Sequence, residues 1–487
     1  MVASNVHHDV IIVGAGISGI NAAYRVQTET SCSYTVLEGR SEVGGTWSLF
    51  KYPGIRSDSD MFTLGFAFYP WNQRKTIAQG EDICGYVKET AEHFGIDKKI
   101  EFHQMVKSAS WSSKEALWTL NVEDQNSKQS RQLTARFVVF ASGYYDYSEG
   151  YYPTLPGSEN FKGEILKPQF WPEDLDYSGK KVVIIGSGAT AVTLLPNMAK
   201  IAAHTTLLQR SPTYYVSLPT VDPFVLIVRK IFPAFIASTI HRVQNQIKSS
   251  FFYYMCRLFP NFVRRVLRFL VKRQLPPNIP LDPHFSPTYK PWDQRPCIVP
   301  DGDMFKMMRA GKASIATGHI ERITENSIVL KSGQEIEADY IVQATGLKVR
   351  LLGGSNLIVD GEKVKMCDRF IYKGQMVDGV PNMSLTFGYT NASWSLGSDL
   401  CARYVCMLLN HMKENGYAVA KPKCDRSDVK VAPLLNLNSG YLQRAQKEMP
   451  KAANKRPWQM KSNYFVDYFR LKTESIVDSM QFTPARS

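Results

Sequence analysis

The sequence predicts an α/β protein made of two Rossmann-like dinucleotide-binding units, the second carrying a mostly helical insertion. Three observations predict it. A β-branched run at residues 10–13 breaks into Gly14-x-Gly16-x-x-Gly19 and then into the helix-friendly ISGINAAYRVQ. A second such run, in KKVVIIGSGATAV, breaks into Gly186-x-Gly188-x-x-Ala191. Between residues 219 and 287 the chain turns apolar, aromatic and basic, with helical periodicity at 261–273.

In chain order, DVIIVGAGISG (9–19) has the strand–turn–helix pattern of a dinucleotide site. Gly14 permits the tight turn, Gly16 lets the backbone approach a pyrophosphate, and Gly19 lets helix and strand pack closely. Free N–H groups and the dipole at the helix start hold the phosphates. The next strand, YTVLE, ends in Glu38, nineteen residues past Gly19, where a carboxylate hydrogen-bonds an unphosphorylated ribose, as in FAD or NAD. The loop GRSEVGGTWSLFKYPGIRSDSDM follows, and a loop this long inside a compact unit is usually functional. Its GGTW (44–47) offers flexible backbone beside a ring able to wall a flavin. Arg56 and Asp58, in YPGIRSD, read from composition alone as a solvated turn. Residues 81–96 predict a helix ended by Gly95, and IEFHQMV, SASWSS and ALWTLNVED predict a small meander. RFVVFASGYY (136–145) is a buried strand that closes the first unit, and the Tyr-, Pro- and Gly-dense segment 144–172 reads as a linker.

The second unit opens at Lys180. Its strand TTLLQRS ends in Arg210 and Ser211 where the first copy has Glu38. Arginine there accommodates a 2′-phosphate, so this site should prefer NADPH. An acid-tipped and an Arg-tipped site in one chain imply a flavoprotein reduced by NADPH, the organic chemistry belonging to the flavin. In the insertion, NFVRRVLRFLVKR (261–273) places Val263, Val266, Leu267 and Leu270 on one helical face, with Arg264, Arg265, Arg268 and Lys272 largely on the other. Residues 284–305 are Pro-rich, loop-like, and carry Arg295. ADYIVQATGL (338–347) repeats the strand-into-ATG pattern of FVVFASG and reads as a return to the first unit. Residues 387–412 predict a Gly/Asn/Ser loop feeding an amphipathic helix whose start can stabilise negative charge on a reduced flavin. Helical patches follow at 442–449 and 463–478. The expected organisation is an FAD-binding unit at 1–150 and 337–487, an NADPH-binding unit at 151–218 and 288–336, and the cap at 219–287.

Composition bounds the rest. The 487 residues, 44% hydrophobic and 21% charged, suit two or three soluble domains. Eight cysteines show no CxxC and no metal-ligand spacing, which predicts a reduced, cytoplasmic setting and argues against a disulfide reductase. The first strand starts at about Asp9, so no signal peptide is expected. The net charge of +14 is local: residues 223–281 hold ten Lys or Arg and no Asp or Glu. That is no general nucleic-acid signature. It suits a lid over a greasy pocket that rests on anionic lipid, or equally a lid with a solvated basic face.

These motifs stand in the order of a known family. GAGISG, GGTW, YPGIRSDSDM, WPEDLDY, IGSGATAVTL, LLQRSPTY, PWDQR and GYTNASW run across nearly the whole length, and with them the chain resembles the class B flavin-dependent monooxygenases, specifically the Baeyer–Villiger subgroup and its thioamide-activating type. The resemblance implies that Gly14, Gly16, Ile17, Gly19, Glu38, Gly45, Thr46, Trp47 and the backbone of Val106 hold FAD. It implies that Gly186, Ser187, Gly188, Ala189, Thr190, Ala191, Arg210 and Ser211 hold NADPH, that Arg56, Ser57 and Asp58 lie where nicotinamide meets flavin, and that Arg295 is the catalytic arginine, oriented by Asp58. The implied reaction converts apolar ketones to esters or lactones with O₂ through a C4a-peroxyflavin, with S-oxygenation of sulfides or thioamides beside it. An N- or S-hydroxylating monooxygenase, or a weakly coupled NADPH oxidase at a membrane surface, are the alternatives. Two positions depart from the family pattern. The fingerprint FxGxxxHxxxW reads Phe161, Gly163, Lys167 and Trp171, with Lys in place of His, and Gln294 stands where relatives often carry a 2′-phosphate-reading Lys.

Overall fold

The structure, a computed structural model, describes residues 6–434, 440–460 and 463–485. Its first sheet is built around Ser130–Phe140, a strand long enough to serve two neighbourhoods. The amino-terminal part pairs antiparallel with Leu117–Asp124, which pairs in turn with Gln104–Ser112. The carboxyl-terminal part runs parallel to His8–Val13 on one side and to Met383–Leu385 on the other. Beyond His8–Val13 come Tyr34–Leu37 and Ile100–Glu101, also parallel. Val10, Ile11 and Ile12 are wholly buried. That is what an unbroken β-branched run requires, because a parallel strand is covered on both faces.

Helices Ile17–Glu29 and Trp394–Glu414 pack together against this sheet. A buried ionic cluster joins them. Asp399 accepts from the Nε of Arg25 and the Nε of Arg403, both at 2.9 Å, and from Asn21 Nδ2 at 3.2 Å. The second helix is amphipathic as expected, burying Leu400, Cys401, Tyr404, Val405 and Leu408 and leaving Arg403, Met407, Asn410 and Glu414 along its less buried face.

The second sheet has five parallel strands in the order Ala313–Thr317, His204–Gln209, Lys181–Ile185, Tyr340–Gln343, Glu164–Leu166. Two expectations are corrected here. The strand in ADYIVQATGL does not return to the first sheet; Tyr340–Gln343 lies in the second, beside Lys181–Ile185, and the chain rejoins the first sheet only at Asn356–Val359. Glu164–Leu166, inside the expected linker, is the edge strand of the second sheet. The reason is visible at the turns. A Cβ on Gly14 (φ +105°) would stand 2.8 Å from the carbonyl oxygen of Ala141, and one on Gly186 (φ +147°) 2.3 Å from that of Ala344. Each glycine turn needs a small-residue strand end lying against it, and ATG serves the second turn as ASG serves the first.

The insertion folds as three helices, Pro223–Ile231, Ala234–Leu258 and Pro260–Lys272. Pro233 separates the first two, since it cannot donate a backbone hydrogen bond. Among the described residues no helix is long and apolar enough to cross a membrane. The inner side of the insertion leans on Met61–Leu64, where Arg242 Nη1 donates to the carbonyls of Phe62 at 2.9 Å and Gly65 at 2.7 Å.

Candidate active site

A cavity of about 650 Å³ opens at the carboxyl ends of the first sheet's parallel strands and reaches the start of helix Ala189–Met198 on the second. Ligands of open α/β sheets bind at such strand ends. Its wall gathers Gly14, Gly16, Ile17, Glu38, Gly45, Thr46, Trp47, Arg56, Ser57, Asp58, Val106, Ala189 and Arg295, so most of the residues singled out from sequence meet in one place. Gly19 is absent from the wall. A Cβ there would fall 1.8 Å from the carbonyl oxygen of Gly14, so this glycine lets the helix touch the turn.

The floor suits a dinucleotide. Gly16 and Gly45 face one another so closely that a Cβ on Gly45 would lie 3.0 Å from the Cα of Gly16, which leaves bare backbone on both sides. Glu38 is buried at the end of its strand. Its Oε2 accepts from the Ala15 N–H at 2.7 Å and its Oε1 from the Arg40 N–H at 2.9 Å. Burial pushes this carboxyl above the usual range while those two N–H groups pull it back. Each oxygen keeps a lone pair for a ribose hydroxyl. Val106 lines the cavity from within Gln104–Ser112 rather than ending a strand, and its carbonyl already accepts from Ser355 Oγ at 2.6 Å.

The charged end lies where the two sheets approach. Arg56 Nη1 donates to Asp303 Oδ2 at 2.5 Å, while its Nε and Nη2 are buried with no partner. Buried donors are nearly always paired, so these two donors stand available to a ligand oxygen. Asp58 stands nearby. Burial raises its carboxyl above the ordinary value, and the charges of Arg295 and then Arg56 draw it back. The resemblance implied that Asp58 orients Arg295. No hydrogen bond joins the two; the charge of Arg295 acts on Asp58 through space, both residues line the cavity, and Arg295 as a whole is an exposed residue.

The second turn sits apart. Gly188, Ala189 and Thr190 begin helix Ala189–Met198, with Gly186 and Ser187 before it and Ala191 buried within it. A Cβ on Gly188 would meet nothing within 4 Å, so this backbone is open to an approaching anion. Arg210 and Ser211 follow strand His204–Gln209, both exposed and outside the cavity wall. Ala189 and Thr193 line the cavity, so the helix that follows this turn reaches it.

Several wall residues went unread in the sequence. Arg40 is clamped by Ser48, its Nη1 2.6 Å from Ser48 Oγ; its only signal was its place two residues after Glu38. Tyr144, Tyr145, Asp146 and Tyr147 were hidden in the apparent linker. Trp394 lies 5.0 Å from Tyr144, ring to ring, and donates from Nε1 to Ser18 Oγ at 3.1 Å. Asp303 carried no sequence signal at all. Lys167, the departure from the fingerprint, holds its Nζ 5.2 Å from the Tyr152 ring centroid, a cation–π contact that a neutral imidazole does not make.

Comparison with known proteins agrees with this geometry. Residues 7–373 match the family model described as FMO-like, flavin-binding monooxygenase-like. The chain is 47% identical over 484 residues to the FAD-containing monooxygenase EthA of Mycolicibacterium smegmatis, covering 99% of this chain and 98% of that one. It is 46% identical over 474 residues to EthA of Mycobacterium tuberculosis, covering 97% and 96%. An NADP-bound steroid monooxygenase shares the fold at a TM-score of 0.77 and 20% identity, covering 98% of this chain and 100% of that one. Two glycine turns, a shared cavity and a family match over residues 7–373 lead to one conclusion: this chain belongs to the flavin-binding monooxygenase-like family.

Proposed function

We propose that the protein is an NADPH-dependent, FAD-containing monooxygenase that carries out Baeyer–Villiger oxidation of small apolar ketones, with S-oxygenation of sulfides or thioamides as a second activity. The observation that carries this reading is the meeting of Asp58, Arg56 and Arg295 in one cavity bordered by the first glycine turn and by Ala189 and Thr193 of the helix that follows the second. The names of its relatives support the flavin and the reaction class. Gly14, Gly16, Ile17, Glu38, Gly45, Thr46, Trp47 and Val106 hold FAD, with Gly19 behind them. Gly186, Ser187, Gly188, Ala189, Thr190, Ala191, Arg210 and Ser211 hold NADPH, and Ser57 stands with Arg56 and Asp58 between the two.

FAD, held by these residues, would supply the redox chemistry between NADPH and O₂. The chain's own part is electrostatic. Arg295 and Arg56 put positive charge where an oxygen becomes anionic, and each guanidinium offers that oxygen a planar fork of donors. Arg295 stabilises the oxyanion that forms when a carbonyl is attacked. Asp58 offsets part of the two guanidinium charges, which tempers their hold on the ground state. The insertion, by covering Met61–Leu64 beside the cavity wall, keeps water out. The eight free thiols support a reducing, cytoplasmic setting.

The test is Arg295→Ala in the yellow holoenzyme. Flavin content stays constant while ester formation from a panel of linear, cyclic and aryl ketones falls by about a hundredfold or more, the order expected for loss of a transition-state donor. Sulfoxidation that survives while ester formation is lost keeps the two activities separate. Ester formation unchanged by the substitution refutes the role of Arg295, and NADPH consumption yielding only hydrogen peroxide with every substrate refutes the reaction class.

A further inference from the structure

Protein surfaces rarely leave large apolar side chains in dense groups. Here 17 of the 26 exposed large hydrophobics among the described residues lie between Phe224 and Leu270. Along helix Ala234–Leu258 they form a stripe: Ile236, Val243, Ile247, Phe251, Tyr254 and Leu258 recur at helical spacing and face solvent for about 35 Å of helix. The expected single apolar face of Pro260–Lys272 proves to be two. Val263, Leu267 and Val271 are buried, whereas Phe262, Val266, Phe269 and Leu270 point outward. Arg264, Arg265, Arg268 and Lys272 occupy the remaining sector. The helix at the other end of the chain joins the same surface. Asn463, which caps Tyr464–Thr473, donates from Nδ2 to Tyr254 Oη at 2.8 Å, and Phe465, Val466 and Phe469 of that helix are exposed too.

Charge identifies the occupant. Residues 223–281 contain no carboxylate. Lys248, Arg257 and Arg268 are neutralised by Asp222, Asp293 and Asp282 from the flanks, but Lys230, Arg265, Lys272 and Arg273 have no acidic partner among the described residues. A second copy of this chain docking by two-fold symmetry sets this cationic surface against itself. An anionic bilayer accepts both features, taking the apolar side chains among its acyl chains and the cations at its headgroups.

We propose that the three-helix insertion, together with helix Tyr464–Thr473, docks flat on an anionic lipid bilayer. The docking stands independently of the proposed reaction; the further step, that apolar substrates enter from the lipid, rests on it. The inner side of the insertion already packs against Met61–Leu64, whose Leu64 lines the cavity, so the lid lies between cavity and bilayer.

The test is cosedimentation of the flavin-loaded protein with vesicles of phosphatidylcholine alone or mixed with phosphatidylglycerol. The bound fraction rises with the phosphatidylglycerol share, and salt reduces it without abolishing it. Ile247→Glu/Phe262→Glu/Phe269→Glu, at exposed side chains outside the cavity wall, abolishes binding while NADPH oxidation with a water-soluble ketone is kept. Lys230→Ser/Arg265→Ser/Lys272→Ser weakens binding to phosphatidylglycerol vesicles by roughly a hundredfold, at about fivefold per cation. Three results overturn the proposal. They are protein that stays in the supernatant at every lipid composition, a triple glutamate variant that sediments like the parent, and a soluble dimer that the same variant splits in the absence of vesicle binding. The ketone assay without vesicles reports on the reaction separately.

Discussion

The two glycines of the second turn make opposite predictions when each is given one methyl group. Gly186 sits at φ +147° with the Ala344 carbonyl oxygen 2.3 Å from where a Cβ would be. Gly186→Ala therefore meets both backbone strain, about 1–3 kcal/mol, and an overpacked contact, about another 1–3 kcal/mol. The expected loss is about 2–6 kcal/mol, large against the 5–15 kcal/mol that roughly spans native stabilities. Gly188 is extended, at φ −84° and ψ −179°, and its Cβ would meet nothing. As the residue before the helix, it gives up about 1 kcal/mol of capping on becoming alanine. About 0.4–1 kcal/mol returns through the less flexible unfolded chain. Gly188→Ala should then fold as the parent does, with the same flavin content. Its methyl occupies the space a pyrophosphate needs, so one charge-assisted N–H contact is lost, about 1.5–3 kcal/mol. That corresponds to a KM for NADPH raised roughly ten- to a hundredfold. Thermal unfolding, flavin absorbance and steady-state NADPH oxidation measure all of this. A Gly188→Ala variant with an unchanged KM for NADPH refutes the assignment of the second turn, and a Gly186→Ala variant with an unchanged thermal midpoint refutes the steric reasoning.

Two further outcomes are expected. Arg210→Ala should raise the KM for NADPH about ten- to a hundredfold and leave that for NADH unaltered, since only the former carries the 2′-phosphate; equal effects on both count against the assignment. Asp399→Asn should cost about 3–5 kcal/mol in denaturant unfolding at neutral pH, because it leaves Arg25 buried beside an uncharged group. Burial works against the Asp399 carboxylate, but Arg25 and Arg403 outweigh it and hold its pKa below the ordinary 3.8. A carboxyl depressed in the folded state contributes stability that is complete above the unfolded value and is lost as pH falls through the folded one. The gap between parent and variant should accordingly narrow as pH drops below about 3.8, and a gap that widens there contradicts the ion cluster.

What the sequence by itself determined was local and repetitive. The β-branched runs at 10–13 and 182–185, the glycines that follow them and the acid or arginine at the next strand end are all read within some thirty residues, because turn geometry and phosphate approach are satisfied by near neighbours. The tertiary structure decided where distant stretches meet. Tyr340–Gln343 looked like a return to the first sheet, since a buried apolar strand carries no mark of which neighbour it pairs with; the close approach of Ala344 to Gly186 chose the second. Asp303 reaches Arg56 across 247 residues, a pairing that no periodicity encodes. The insertion makes the same point. An amphipathic pattern says that a helix has an apolar side, whereas only packing shows that Val263, Leu267 and Val271 use part of that side and leave Phe262 and Phe269 outside.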